Sequence, residues 1–140
     1  MARAPRWFFG ASLALLLWSL AGIAAFAAHL SVDAAALAKM PADDAAGFRA
    51  LPGWFVYAFA LATIPAVLGA VALLARRGWA VPLYALALIG ALIQFGYVLG
   101  LTDLLARKGA SAAVLPAVII ALAIFSLWLA RRGVARGWLR

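Results

Sequence analysis

The sequence predicts an all-α membrane protein: an antiparallel bundle of four transmembrane helices with a short extracytoplasmic helical loop. Hydrophobic residues make up 69% of the 140 positions and charged residues only 11%, whereas soluble domains carry far more charge. Four apolar runs are each about long enough to cross the roughly 30 Å hydrocarbon core of a bilayer. The connection Arg76-Arg77-Gly78 is so short that the runs on either side of it must be antiparallel neighbours.

Composition also limits the number of domains and the class of partner. The longest polar connection spans residues 30–52, so the chain (residues 1–140) forms one membrane domain without room for a soluble catalytic domain. The absence of cysteine from the sequence excludes disulfide exchange and thiolate metal sites. The formal net charge is +8, but the basic residues lie at the ends of the apolar runs. This distribution favours anionic lipid headgroups as partners over nucleic acid.

The first apolar run spans residues 7–29 and follows Arg3 and Arg6. A basic start with small residues at 25–27 is also typical of a cleavable signal peptide. The run is longer than the roughly 7–15 apolar residues of a signal core, so we expect a retained transmembrane helix.

The connection at residues 30–52 has its own helix signals. Ser31 can cap a short Ala-rich helix that Pro41 ends, and a second short turn covers residues 43–51. We expect a helical hairpin on the membrane surface, with a partly ordered loop as the alternative.

The second run, residues 53–75, carries a small residue at every fourth position: Ala58, Ala62, Ala66 and Ala70. Such a ridge lets another helix approach closely in a membrane, although alanines at this spacing also arise by chance in so Ala-rich a chain. Pro65 removes one helix hydrogen bond near the middle of the run, a defect that neighbouring helices can cover. Gly78, after the run, suits the left-handed residue that ends a helix.

The third run, residues 79–101, contains Gln94, one of the few strongly polar side chains inside any run. An uncharged amide at lipid depth needs hydrogen bonds from protein or water, so this helix should face its neighbours. Gly96 and Gly100, near the far end of the run, form a small-xxx-small pair that can pack against another helix.

The fourth run, residues 112–130, is followed by a cationic tail in which Trp138 is placed for the membrane interface. Lys and Arg then predict the orientation, because cytoplasmic connections carry the excess of positive charge. Four spans place both chain ends on the same side of the membrane. Eight of the twelve basic residues fall on that side, and four fall on the side of residues 30–52. We therefore expect a bacterial inner-membrane protein with both termini in the cytoplasm.

Five side chains near the outer ends of the runs are candidates for a polar cleft: Gln94, Tyr97, Tyr57, His29 and Asp103. Gln94 lies about 10 Å inside the outer boundary, at roughly 1.5 Å per residue. If the helices bundle in order, an amide, two phenols, an imidazole and a carboxylate converge there. Such a cleft can bind a polyol, a sugar or a lipid headgroup.

Each candidate also has a purely structural interpretation. His29 and Asp103 suit ordinary interfacial positions, and Tyr57 suits the aromatic belt of a membrane boundary. Gln94 can instead hydrogen-bond a neighbouring helix, an interaction worth about 0.6–2 kcal/mol.

The interiors of the apolar runs hold no charged residue. Proton-coupled exporters, ion pumps and voltage sensors ordinarily need such a charge within the membrane. Small multidrug exporters are of similar size, but the glutamate of their first helix has no counterpart between residues 7 and 29. One histidine with scattered carboxylates does not supply a metal site. We therefore expect no metal, no other cofactor and no enzymatic activity.

Three segments carry a resemblance: Ala4-Pro5-Arg6-Trp7 before the first run, Leu51-Pro52-Gly53-Trp54 before the second, and Arg77-Gly78-Trp79-Ala80-Val81-Pro82 with Gln94 following. In these segments the chain resembles small proteobacterial four-helix inner-membrane proteins that are often labelled sugar transporters or left uncharacterised. The resemblance implies the same four-helix architecture over most of the chain, and sugar transport as a function. The chain differs from well-described sugar carriers in its helix number and in having no visible repeat pair.

Two functions of different classes follow from these features. We favour a subunit role without catalysis, as a small homo-oligomer or as part of a larger membrane complex that packs against the alanine ridge or the glycine pair. The alternative is a minimal carrier of a small polar solute such as a sugar, with Gln94 and Tyr97 at an outward-facing polar cleft. An enzyme that acts on lipid is a third interpretation.

Overall fold

The structure, a computed structural model, describes residues 3–140, so the first two residues of the predicted domain lie outside it. Its helices are α1 (Arg6–Leu30), α2 (Ala34–Lys39), α3 (Ala42–Arg49), α4 (Phe55–Leu74), α5 (Ala80–Gly100), α6 (Leu104–Lys108) and α7 (Val114–Ala135). A 3-10 turn at Ala110–Ala113 leads into α7. No strand forms in this part of the chain.

Four of the described helical stretches are long and apolar enough to cross a membrane: Arg6–Leu30, Phe55–Leu74, Ala80–Gly100 and Ala110–Ala135. They contain between 20 and 26 residues, and about 20 apolar residues suffice. Large apolar side chains such as Leu17 and Leu115 are exposed on their surfaces. Lipid tails accept such a surface, whereas a soluble monomer rarely carries one. The length and composition of the helices therefore indicate a multi-pass membrane protein.

The long helices pack in chain order. Helix α4 packs against both α1 and α5, and α7 packs against α5. The best-buried core lies towards one end of the bundle, where Phe8, Leu73 and Leu129 are fully buried. We call this the arginine end, because it includes the α4–α5 connection with its two arginines and the arginine-rich residues 131–140. The opposite end, with α3 and α6, is the loop end.

Helices α4 and α5 approach closely at Gly90. A Cβ atom placed on Gly90 would lie 2.5 Å from the Ala62 backbone nitrogen and 2.6 Å from the Leu61 carbonyl carbon. Pro65 is buried in the same stretch of α4. Because proline has no N–H, the Leu61 carbonyl lacks its usual donor one turn later. The α5 backbone lies against this defect, and only the absence of a side chain at Gly90 permits such proximity.

The prediction that Gly78 is the left-handed residue after α4 is wrong, because Arg76 takes that conformation, with φ 60°. The Arg76 N–H donates to the Leu73 carbonyl at 3.1 Å and the Arg77 N–H to the Ala72 carbonyl at 2.8 Å. These two bonds satisfy the last carbonyls of α4. Gly78 instead permits a close contact, since a Cβ there would lie 2.6 Å from the Arg140 carbonyl oxygen.

The fourth long helix continues to Ala135, past the predicted end at residue 130. The Arg132 guanidinium lies 5.4 Å from the centre of the Trp128 ring, one turn earlier. This cation–π contact places the Arg132 charge over an aromatic ring in the last part of α7. The helix ends where Gly137 adopts φ 74°.

Beyond α7 the chain folds back onto the arginine end. The Trp138 ring, expected at the interface, is half-buried, 5.4 Å from the Phe8 ring and 5.7 Å from the Trp7 ring. The Arg140 N–H donates to the Arg76 carbonyl at 3.0 Å, and the Gly78 N–H donates to the Arg140 carbonyl at 2.5 Å. These contacts tie the last residues to both α1 and the α4–α5 connection.

Candidate functional site

A cavity of about 550 Å³ opens at the loop end of the bundle. Its walls come from the ends of α1 and α5, the start of α4, and the short helices α3 and α6. Four of the five predicted cleft residues line this loop-end cavity: His29, Gln94, Tyr97 and Asp103. Tyr57 does not; it is 75% exposed on the outer surface of α4, as a residue of an aromatic belt would be.

Gln94 lies at the inner part of the cavity, about 9 Å along α5 from Gly100 at roughly 1.5 Å per residue. The residue is only 5% exposed. Residues 3–140 supply no hydrogen-bond partner for its amide. Gln94 lines the cavity, and a polar group at this depth is costly without hydrogen bonds. The available partners of the amide are therefore water or a ligand in the cavity.

Four other buried polar side chains of the long helices are satisfied locally. Ser12, Ser19, Thr63 and Ser126 each donate to a carbonyl about one turn earlier in the same helix, at 2.7–2.9 Å. Such bonds let a hydroxyl lie at lipid depth without any partner from another helix. Gln94 differs from these four hydroxyls, because its amide has no such bond within its own helix.

The imidazole of His29 forms an aromatic flank of the cavity. Its ring centre lies 5.0 Å from that of Phe48, 5.7 Å from Phe55 and 5.2 Å from Phe59. Phe48 comes from α3 and the other two from α4, so the histidine connects the short helix to the bundle. The cavity thus has an apolar flank beside its polar groups, which is typical of small-molecule sites.

Two ion pairs lie at the rim of the cavity. Arg107 Nε is 3.0 Å from Asp103 Oδ1 within α6 and its cap, and Lys108 Nζ is 2.8 Å from Asp44 Oδ1 of α3. Exposed pairs of this kind each contribute about 0–1 kcal/mol, so they hold α3 beside α6 only weakly. Their main effect is electrostatic, because the four charges cancel in pairs and leave the rim without a surplus of either sign.

Tyr97 and Thr102 complete the polar lining on the α5 side. The Tyr97 ring meets the Trp54 ring edge to face, with centres 5.2 Å apart. The Thr102 hydroxyl donates to the Val98 carbonyl, and its oxygen accepts from the Leu104 N–H at 3.4 Å. Sequence analysis missed Thr102, Asp44 and Arg107. The Asp103–Arg107 spacing of four residues was the one available signal.

The residues predicted to pack helices fall into two groups. Ala58 and Ala70 are buried, and Ala62 and Ala66 are half-buried; Ala62 lies at the α4–α5 contact. Gly96 and Gly100 are exposed, and no described atom lies within 4 Å of a Cβ placed on either. The glycine of α5 that lies against another helix of the chain is Gly90, at the contact with α4. Sequence analysis missed Gly90, which lies one helical turn before Gln94.

A second cavity, absent from the sequence-based expectations, runs along the side of the bundle. This side groove has a volume of about 310 Å³ and is lined by α1, α4, α5 and α7, almost entirely with apolar atoms. Gln94 and Phe59 line both the side groove and the loop-end cavity.

No family model matches this chain, and neither does any curated protein or solved structure. Among residues 3–140, no group of three or more His, Cys, Asp or Glu side chains is placed to hold a metal ion.

Proposed function

We propose that this is a non-catalytic inner-membrane protein that binds a small uncharged polar ligand in the loop-end cavity, as a minimal carrier or binding protein. The observation that supports this function is the amide of Gln94, which is buried, faces the cavity and has no partner within residues 3–140. An amide donates two hydrogen bonds and accepts two, so a hydroxyl-bearing molecule satisfies it well.

The charge balance of the rim supports an uncharged ligand. Asp103 pairs with Arg107, and Asp44 pairs with Lys108, so these residues offer no surplus charge to attract an ion. A sugar or another polyol needs no such attraction and can also pack against the aromatic flank at His29.

In this proposal the four helices run antiparallel and the loop end faces the periplasm. The support is the distribution of charge, with eight basic residues towards the arginine end and four towards the loop end. The arginine end then meets anionic lipid headgroups in the cytoplasmic leaflet. The loop-end cavity is open to solutes outside the cytoplasm.

The test is to extract the protein in mild detergent and to identify bound small molecules by mass spectrometry. We expect the wild type to retain a polar small molecule. Gln94→Leu should lower its retention roughly tenfold or more, because ligand groups that bonded to the amide are left unpaired. Tyr57→Leu is the matched control, since it changes a predicted cleft residue outside the cavity, and it should retain the ligand fully. Equal retention by all three proteins would remove Gln94 from the site.

A second candidate function is the subunit role, and the exposed glycines favour it. Gly96 and Gly100 leave open space on the surface of α5, where the helix of a second copy or of another subunit can pack. Gly96→Leu should then weaken association in crosslinking experiments. Ala62→Leu is unsuitable for this test, because Ala62 lies at a contact inside the chain. A stoichiometric protein partner without any bound small molecule would favour this role over the first.

A further inference from the structure

We infer that the ligand is a single-chain amphiphile, with an uncharged hydroxyl-bearing head in the loop-end cavity and one hydrocarbon chain in the side groove. This inference depends on the proposed binding function of the cavity and specifies the class of molecule bound there.

The two cavities are neighbours that share part of their lining. The loop-end cavity is the larger, at about 550 Å³, and carries most of the polar groups, whereas the side groove is about 310 Å³ and apolar. Both are lined by Gln94 and Phe59. A small soluble solute would fill only the first. A molecule with a polar head and an apolar chain would fill both and would place its junction beside the Gln94 amide.

The side groove suits a hydrocarbon chain. Many of its lining residues are small, among them Gly22, Ala25, Ala62 and Ala66. Larger apolar residues line it as well, and two of these, Trp18 and Leu115, are also exposed on the outer surface of the bundle. A chain can therefore enter sideways from the bilayer while its head reaches the cavity.

Selectivity for such a ligand must come from the head. Moving a hydrocarbon chain from lipid tails into the side groove gains little, because both surroundings are apolar. Hydrogen bonds to the buried Gln94 amide are gained only in the site. The rim charges of Asp44, Asp103, Arg107 and Lys108 are already paired, which favours a neutral head such as that of a monoacylglycerol over a phosphate.

The test uses the full chain in phosphatidylcholine vesicles with a monoacylglycerol that carries a photoactivatable diazirine in its acyl chain. After irradiation, peptide mass spectrometry maps the adducts. We expect adducts at side-groove residues such as Trp18 and Ile119, and competition by excess unlabelled monoacylglycerol. Adducts that resist competition and spread over exposed residues such as Leu13 and Leu17 would overturn the inference.

Matched variants separate the groove from the cavity. Ala25→Phe fills the side groove and should lower the competed adducts about tenfold. Ala24→Phe, next to it on the exposed surface and outside the groove, should leave them unchanged. If Ala25→Phe does not fold, as judged by circular dichroism and gel filtration, Ala21→Phe on the same wall replaces it.

Gln94→Leu distinguishes failure of the inference from failure of the proposed function. Loss of competed adducts in both Gln94→Leu and Ala25→Phe supports the amphiphile. Loss only in Gln94→Leu overturns the chain assignment and leaves the polar site intact. Loss only in Ala25→Phe, or in neither variant, overturns the inference together with the proposed role of Gln94.

Discussion

At the scale of single residues, Gln94 and Tyr84 are the buried side chains of α5 that carry polar groups. They differ in their surroundings. Gln94 faces two cavities, whereas the Tyr84 ring packs closely against Gly69, where a Cβ would lie 3.1 Å from the ring. The Tyr84 hydroxyl borders a cavity of only about 50 Å³. We therefore assign ligand binding to Gln94 and a packing role to Tyr84.

This assignment predicts the effect of Tyr84→Phe. The change keeps the ring and removes a buried hydroxyl without a partner, so the free energy of unfolding should stay the same or rise by about 1 kcal/mol. Denaturant unfolding of both proteins in detergent micelles measures this difference in the free energy of unfolding. Tyr57→Phe is the control, and at an exposed position it should change stability by less than about 0.5 kcal/mol. A clear destabilisation by Tyr84→Phe would mean that the hydroxyl has a bonding partner, such as Ser126 of α7, which lines the same small cavity.

At the scale of helices, the contact of α4 with α5 depends on Gly90. A Cβ there would meet backbone atoms of Leu61 and Ala62 at 2.5–2.6 Å, and backbone cannot move aside as a flexible side chain can. Pro65 also removes one hydrogen bond from this stretch of α4, because proline has no N–H to donate to the Leu61 carbonyl. A side chain at position 90 would therefore force the backbones of α4 and α5 apart.

We predict that Gly90→Ala destabilises the protein by about 1–3 kcal/mol, the usual cost of overpacking. Gly96→Ala is the matched control on the same helix, since open space surrounds Gly96 and alanine is the better helix former by about 1 kcal/mol. In thermal unfolding in detergent, Gly90→Ala should therefore have a lower Tm than the wild type. Gly96→Ala should have the same Tm as the wild type or a higher one. The opposite ranking would show that the helices do not meet at Gly90.

The sequence predicted the four long helices because apolar length is a local property of the chain. It did not identify which glycine brings two helices together, because that depends on how each helix is rotated about its axis. Tyr57 is an example: Phe55 and Phe59 line the cavity, and the residue midway between them falls on the opposite face of the helix. The docking of Trp138 and Arg140 was missed for a similar reason, since it joins segments far apart in sequence.

At the scale of the whole molecule, charge separates the two ends of the bundle. Eight basic residues belong to the arginine end and four to the loop end. We predict that a fluorescent protein fused after Arg140 fluoresces in the cytoplasm, and that alkaline phosphatase fused there is inactive, because cytoplasmic connections retain the positive excess. An active phosphatase at this position would reverse the orientation and place the loop-end cavity in the cytoplasm.

The central claim is that the Gln94 side chain faces a water-accessible cavity at the loop end, and a single cysteine at that position tests it most directly. The chain has no cysteine of its own, so a membrane-impermeant thiol reagent reports only on the introduced residue. Thiols react as thiolates, which need water. We predict that Gln94→Cys is labelled from the periplasmic side, whereas Ile93→Cys, on the outer surface of α5, is not. Equal resistance of both positions, or labelling of position 94 only from the cytoplasmic side, would contradict the account.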